Sequence, residues 1–138
     1  MADQAKEPVI YVCSFPEMAP SLNEWSRWHW AKKKEQREIY QRVYEAELTR
    51  KGNKCPRGLA RVEIHAVLMY PEGRRRDSDN MEAVLKKWFQ DALVHLRIIP
   101  DDTAERCHFH TPRIMTGGKP MTVITIEGFT TLEEGGST

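Results

Sequence analysis

RVEIHAVLMYPEGRRRDSDNMEAVLKKWFQDALVHL, residues 61–96, changes its hydrophobic period midway, and that change decides the fold. Val62, Ile64, Ala66 and Leu68 alternate along the chain, the two-residue period of a strand with one buried face. Pro71-Glu72-Gly73 then turns the chain. Beyond Asp79 the apolar residues Met81, Val84, Leu85, Trp88, Ala92 and Leu96 recur at steps of three and four, so they share one face of a helix reaching about Leu96. Asp79 and Glu82 stand three apart, which marks Asp79 as the expected N-cap of a capping-box-like start. On the flank of the stripe Lys87 and Asp91 lie about 40° apart, placed to look along the rim of a cleft.

Upstream, PVIYVCSF at 8–15 reads as a strand that stops at Pro16, and EMAPSLN as a turn. From about Ser26 to Arg50 there is no Pro or Gly, which predicts one long helix with Trp30, Ile39, Val43 and Ala46 as a sparse apolar face. KGNKCPRG at 51–58 ends it, giving a βαβ-like beginning whose sheet direction is not readable. Downstream, strands are expected around 104–112 and 120–128, joined by Met115-Thr116-Gly117-Gly118 as a hairpin. The order is β-α-β-α-β-β, an α+β class, in a single domain over 1–138 with frayed ends at about 1–7 and 130–138.

A length of 138 residues suits one core, and 40% hydrophobic with 30% charged residues excludes global disorder. No apolar run approaches the roughly 20 residues that span a bilayer, and MADQAKEPVIYV lacks the features of a secretory leader. Cys13, Cys55 and Cys107 form no C-x-x-C and no paired framework, so a reducing, cytoplasmic setting is expected. The net charge of +1 hides a polarised chain: Arg27 to Arg61 carries 11 Lys/Arg against 4 Asp/Glu. Such a zone can serve as an electrostatic footprint for phosphates, although long helices also carry many solvated lysines.

The densest chemistry lies in RRRDSDN, with Asp101-Asp102 beyond the second helix. If the segment entering the helix is extended, Asp77 and Asp79 face the same way. Paired carboxylates so placed call for a hard cation, Mg²⁺ or Mn²⁺, and Arg74, Arg75 and Arg76 would bring phosphates to it. The helix separates its own ends by roughly 25 Å, so Asp102 reaches Asp79 only if the loop folds back or another copy supplies the contact. A plainer reading makes Asp79 a cap, the arginines a solvated turn and Asp101-Asp102 an acidic loop. A zinc site on Cys107, His108 and His110 is a further reading; its fourth ligand is not in view, with His65 or Cys13 as guesses.

Arg74-Arg75-Arg76-Asp77-Ser78-Asp79-Asn80, Lys87, Asp91-Ala92-Leu93 and Ile99-Pro100-Asp101-Asp102 together resemble the signature of the RusA family of Holliday-junction resolvases of bacteria and prophages. Pro20-Ser21-Leu22-Asn23 resembles that family's early Pro-Ser-x-Asn, and Gly117-Gly118-Lys119 its last hairpin. The resemblance covers most of the chain between about residues 9 and 128. It implies a two-layer fold with a mixed sheet of about four to five strands and two main helices. It also implies a homodimeric, Mg²⁺-dependent endodeoxyribonuclease that resolves four-way junctions in DNA recombination and repair. The family's essential acidic residues carry over to Asp77, Asp79 and Asp102, and its lysine to Lys87. Where the family has that lysine, four residues after the second Asp, this chain has Ala83. Lys87 keeps the spacing to Asp91, which reads as a four-residue insertion moving the lysine by about 6 Å. Arg97 stands where the family tends to end the helix with Gly, so a different exit turn is expected.

In this reading Asp77, Asp79 and Asp102 hold one or two Mg²⁺ and Lys87 stabilises the transition state. Arg74, Arg75, Arg76, Lys32, Lys33, Lys34 and Lys86 hold flanking phosphates. Trp25, Trp28 and Trp30 either stack on unpaired bases or, the preferred reading, pack in the core. The alternative is a non-catalytic branched-DNA-binding protein that retains the fold.

Overall fold

The alternation at 61–70 is realised as the central strand of a sheet, and the stripe after Pro71 as the helix that covers it. The computed structural model describes residues 7–132. Their elements run β1 (Val9–Phe15), α1 (Leu22–Ser26), α2 (Trp30–Leu48), β2 (Arg61–Tyr70), α3 (Ser78–His95), β3 (Cys107–Phe109), β4 (Arg113–Thr116) and β5 (Met121–Phe129). The class is α+β, a five-stranded mixed sheet with two long helices and one short one. The fraying expected at 1–7 and 130–138 falls mostly outside the described residues.

β5 lies between β1 and β2 and runs antiparallel to both, so β1 and β2 are parallel to one another with β5 inserted between them. The other edge of β2 is shared by two short parallel strands, β3 beside Val62–Ile64 and β4 beside Val67–Tyr70. The expected hairpin at 115–118 is therefore not one. Both flanking strands pair with β2 from opposite sides, and the connection crosses the end of β2, where the Gly117 amide donates to the Tyr70 carbonyl at 3.0 Å. Gly117 makes this crossing at φ 100°, a region open to glycine.

One face of the sheet is dry. Tyr11, Cys13 and Phe15, Val62, Ile64, Ala66 and Leu68, and Ile124 and Ile126 are all buried in one cluster with α3. From α3 come Val84, Leu85, Trp88, Phe89, Ala92 and Leu93, with Met81 and Leu96 packed against them, so the stripe is wider than expected from the sequence by Phe89 and Leu93. Burial keeps the three free thiols protonated, pushing Cys13 and Cys55 up to about 12 and Cys107 to about 11. No helix among the described residues is long and apolar enough to cross a membrane.

The long helix expected from Ser26 begins four residues later, as α2 at Trp30, and the short α1 precedes it where part of a turn was expected. Residues 27–29 separate the two, with Ser21 capping α1 and the His29 Nδ1 accepting from the Ala31 amide at 3.3 Å to start α2. That link lets Trp25 and Trp28 pack against the core, as preferred, but leaves Trp30 70% exposed. The face of α2 also differs from expectation: Ile39 and Ala46 are exposed and Val43 is half-buried. Val43 packs against the core as expected, but the row beside it is Tyr40, Tyr44 and Leu48, four apart, and the two tyrosine rings join β1 to α3. Tyr44 meets Phe15 at 5.1 Å and Phe89 at 5.5 Å, and Tyr40 meets Trp88 at 5.1 Å. Tyrosines escape an apolar count because of their hydroxyls, although their rings bury like phenylalanine.

The exit of α3 keeps the left-handed cap without glycine. Arg97 sits at φ 62°, its amide donating to the Val94 carbonyl at 3.0 Å while Ile98 donates to Leu93 at 2.9 Å. This is the paired hydrogen-bond pattern of a Schellman cap, sealed by contact between two buried residues, Leu93 and Ile98. The different exit turn expected from Arg97 does not occur, because those two bonds and that contact hold the arginine in the region glycine usually takes. Left-handed φ costs a non-glycine residue about 1–2 kcal/mol, partly offset by the lower chain entropy it brings. Arg97→Gly is therefore expected to stabilise the protein by about 0.5–1 kcal/mol, read as a higher urea midpoint; a lower midpoint would contradict this account of the cap.

Candidate functional site

The approach to α3 is built differently from an extended Asp-x-Asp. Asp77, at φ −82° and ψ 120°, is the N-cap, and its Oδ1 accepts from the Asp79 amide at 3.0 Å. Asp79 is already in the first helical turn, so the two carboxylates are not aligned by a shared strand, and the capping-box expectation for Asp79 is replaced by a cap two residues earlier. Arg76 folds back into the protein: its guanidinium stacks on Tyr70 at 3.7 Å and donates to the Glu72 and Arg74 carbonyls, with its side chain 5% exposed. It is a structural cation here, whereas Arg74 and Arg75 are exposed.

Two motif segments read separately in the sequence meet at this point. The Asn80 side-chain oxygen accepts from the Asn23 amide at 2.9 Å, tying Pro20-Ser21-Leu22-Asn23 to Asp77-Ser78-Asp79-Asn80. The hollow beside this junction is lined by Pro20, Ser21 and Glu24 together with Arg74, Arg75 and Asp77.

Along the solvent side of α3, a second hollow is lined by Asp79, Glu82, Ala83, Lys86, Lys87 and Gln90. Lys87 also borders a larger groove of about 720 Å³, where it faces Asp91, Asp101 and Asp102 together with Arg37 and Arg42 of α2. The loop after α3 thus shares this groove with Lys87. Ala83 and Lys87 lie one turn apart in the same hollow. The groove is braced by Gln41 Nε2 donating to the Trp88 carbonyl at 2.8 Å and by His95 on Glu45 at 2.7 Å. Lys87 Nζ pairs with Asp91 at 3.3 Å, an exposed contact that leaves the lysine mobile.

The neighbouring aspartates are unequal. Asp101 Oδ1 accepts from the Thr103 amide at 3.1 Å and hydroxyl at 2.7 Å, and those hydrogen bonds, with Arg106, hold its carboxyl below the usual carboxylate range. Asp102 makes no hydrogen bond among the described residues and lines the groove. The structure therefore places Asp79 and Asp102 in the two hollows that Lys87 borders and Asp77 in the hollow at the helix start. Among the described residues, Asp77, Asp79 and Asp102 do not form a cluster of converging ligand atoms. In the basic zone, Lys32 lies over Trp28 at 4.6 Å and Lys33 over Trp25 at 4.1 Å, while Lys34 is exposed.

Sequence reasoning missed Glu82, Arg37 and Arg42 as members of the site. The signal for Glu82 was present: it follows Asp79 by three and precedes Lys86 by four, spacings that share one helix face. Carboxylates at Asp79 and Glu82, one turn apart, offer hard oxygens of the kind Mg²⁺ takes together with water and phosphate. No protein-family model matches the chain, and no curated protein matches it either.

Burial raises the Glu82 carboxyl above the ordinary glutamate range, and the Asp79 charge adds to this while Lys86 opposes it. The folded chain holds that proton more tightly than the unfolded one. The stability this confers is present below the pH where an unfolded glutamate ionises and is lost as pH rises through the raised value. Carboxyl-carbon NMR titration should find Glu82 high, moving down in Asp79→Asn and up in Lys86→Met; shifts of the opposite sign would refute this electrostatic reading.

Proposed function

We infer that the protein is a Mg²⁺-dependent, structure-selective endodeoxyribonuclease of the RusA type, acting on four-way junctions or related branched DNA as a homodimer. The observation that carries this reading is the rim of α3, where Asp79, Glu82, Lys86 and Lys87 border one hollow and Asp102 and the α2 arginines border the next. Carboxylates beside exposed cations suit a phosphodiester: the acidic groups hold a dication, and the cations hold phosphates on either side of the scissile one.

Asp79 and Glu82 would hold the ion, with Asp102 joining from the groove side. Mg²⁺, when bound, offsets charge developing on the phosphate and makes a water more acidic. Lys87 acts as a point charge on a flexible stem, reaching toward either hollow. Arg37, Arg42, Arg74, Arg75 and Lys34 supply sequence-independent contacts to flanking phosphates, so binding should weaken steeply with salt. Arg76 contributes indirectly, by fixing the turn that presents its neighbours. Asp77 does the same for α3.

The test is a synthetic junction compared with linear duplex, with and without Mg²⁺. Wild type should nick the junction only with Mg²⁺, and Asp79→Asn or Asp102→Asn should abolish nicking while leaving the gel-shift unchanged. Undiminished cleavage by both variants would remove the metal-site reading. One observation favours the second reading, a branched-DNA binder without cleavage: Asp77 is engaged as a cap, and the three aspartates do not converge within one chain. Junction binding by wild type with no Mg²⁺-dependent product would select it.

A further inference from the structure

The helices cover one face of the sheet, and the opposite face carries a second set of polar side chains that the nuclease reading does not use. Glu63 is the centre of it. Across the strands it stands directly opposite His108 on β3 and opposite Glu127 on β5. Two carboxylates directly opposite repel, so each needs a compensating partner. Glu127 receives His65 at 3.0 Å. Glu63 Oε2 is held by Arg61 at 3.1 Å, and that guanidinium is itself fixed on the Phe129 ring at 3.8 Å.

With Oε2 occupied, Glu63 Oε1 is aimed at two imidazoles, His110 Nε2 at 2.6 Å and His108 Nδ1 at 3.2 Å. The His110 ring is stacked on His65 at 4.3 Å and 12°, which fixes its plane. All three ligand atoms lie within 4.8 Å of one another. A tetrahedral zinc ion with bonds near 2.0–2.1 Å separates its ligand atoms by about 3.3–3.4 Å, so the Glu63–His108 pair at 3.2 Å already stands near that spacing and the Glu63–His110 pair at 2.6 Å must open by roughly 0.7 Å.

We propose that Glu63, His108 and His110 form a Zn²⁺ site on the open face of the sheet, with water as the fourth ligand. Two imidazoles and a carboxylate select a borderline cation such as Zn²⁺ over Mg²⁺, which prefers oxygen alone. Arg61 and the stacked His65 act as the outer partners that orient the ligands. Cys107 is not a ligand: along β3 it alternates to the buried face, beneath the helices, so the thiol expected from the sequence is replaced by a carboxylate from β2. The ion would bridge β2 to β3, a strand held by three paired residues, and so fasten the end of the turn that carries Asp102.

Full-length protein stripped with chelator and titrated with Zn²⁺ alone should take up one ion per chain by calorimetry and elemental analysis. Its melting temperature should rise with Zn²⁺ and return with EDTA. Co²⁺ should give the intense visible absorption of a tetrahedral site in the wild type. His108→Ala and His110→Ala should each weaken binding by at least about 10-fold, while Cys107→Ala and Asp79→Asn bind as the wild type does. His108 is an exposed residue, so its truncation leaves the core intact, and circular dichroism in EDTA checks this. The proposal is overturned by absent stoichiometric uptake, by binding that survives the double histidine variant, or by loss of binding in Cys107→Ala or Asp79→Asn.

Discussion

Burial of one side of α3 against β2 and β5 is the constraint on which the rest of the molecule depends. Val84, Leu85, Trp88, Phe89, Ala92 and Leu93 meet Val62, Ile64, Ala66, Leu68, Ile124 and Ile126 in a single dry layer. Hydrophobic transfer contributes about 25 cal/mol for each Å² removed from water, so this contact outweighs any surface ion pair in the structure. Once the helix is seated, its rotation is fixed. Asp79, Glu82, Lys86 and Lys87 then face solvent because the opposite side of the same helix cannot.

The second constraint is the aromatic bridge. Tyr40 and Tyr44 hold α2 against Trp88, Phe89 and Phe15, and this places Arg37 and Arg42 across from Lys87 and Asp102. Gln41 adds a directional bond to the Trp88 carbonyl, which resists sliding of one helix along the other. The charged groove is thus a by-product of two apolar contacts. Its width follows from ring packing, and its charge from the residues that neither contact buries. The exposed β1 edge, with Val9, Ile10 and Val12 turned outward, lies at the far side of the sheet from β3 and β4.

Much of this was legible along the chain. The alternation at 62–68 and the stripe at 81–96 located the central strand and its covering helix because both periods are set by local backbone geometry. The basic-acidic run at 74–80 marked the hollows at the start of α3, and the pair at 101–102 marked the groove beyond it. The failures share a cause. The hairpin expected at 115–118 became a crossing because strand neighbours are chosen by which edge is free, and β5 took one edge of β2 while β3 and β4 took the other. The helix expected from Ser26 starts only at Trp30, after a short α1 and a link at 27–29 from which Trp25 and Trp28 pack against the core. The packed face of α2 was hidden in tyrosines.

By itself, then, the sequence determined the α+β class, the one-sided helix and strand, the free thiols and the residues carrying charge. The tertiary structure alone decided partnership. It set Asp77 apart as a cap and Arg76 as a stacked cation, joined Asn80 to Asn23, and gave Lys87 a place in both the hollow that holds Asp79 and the groove that holds Asp102. It also turned Cys107 inward while gathering Glu63, His108 and His110 on the open face. The physical reason is range: periodicity, capping and turn chemistry act over a few residues, whereas the groups that meet in a site are brought together by sheet register and by the fold of loops, which no local pattern encodes.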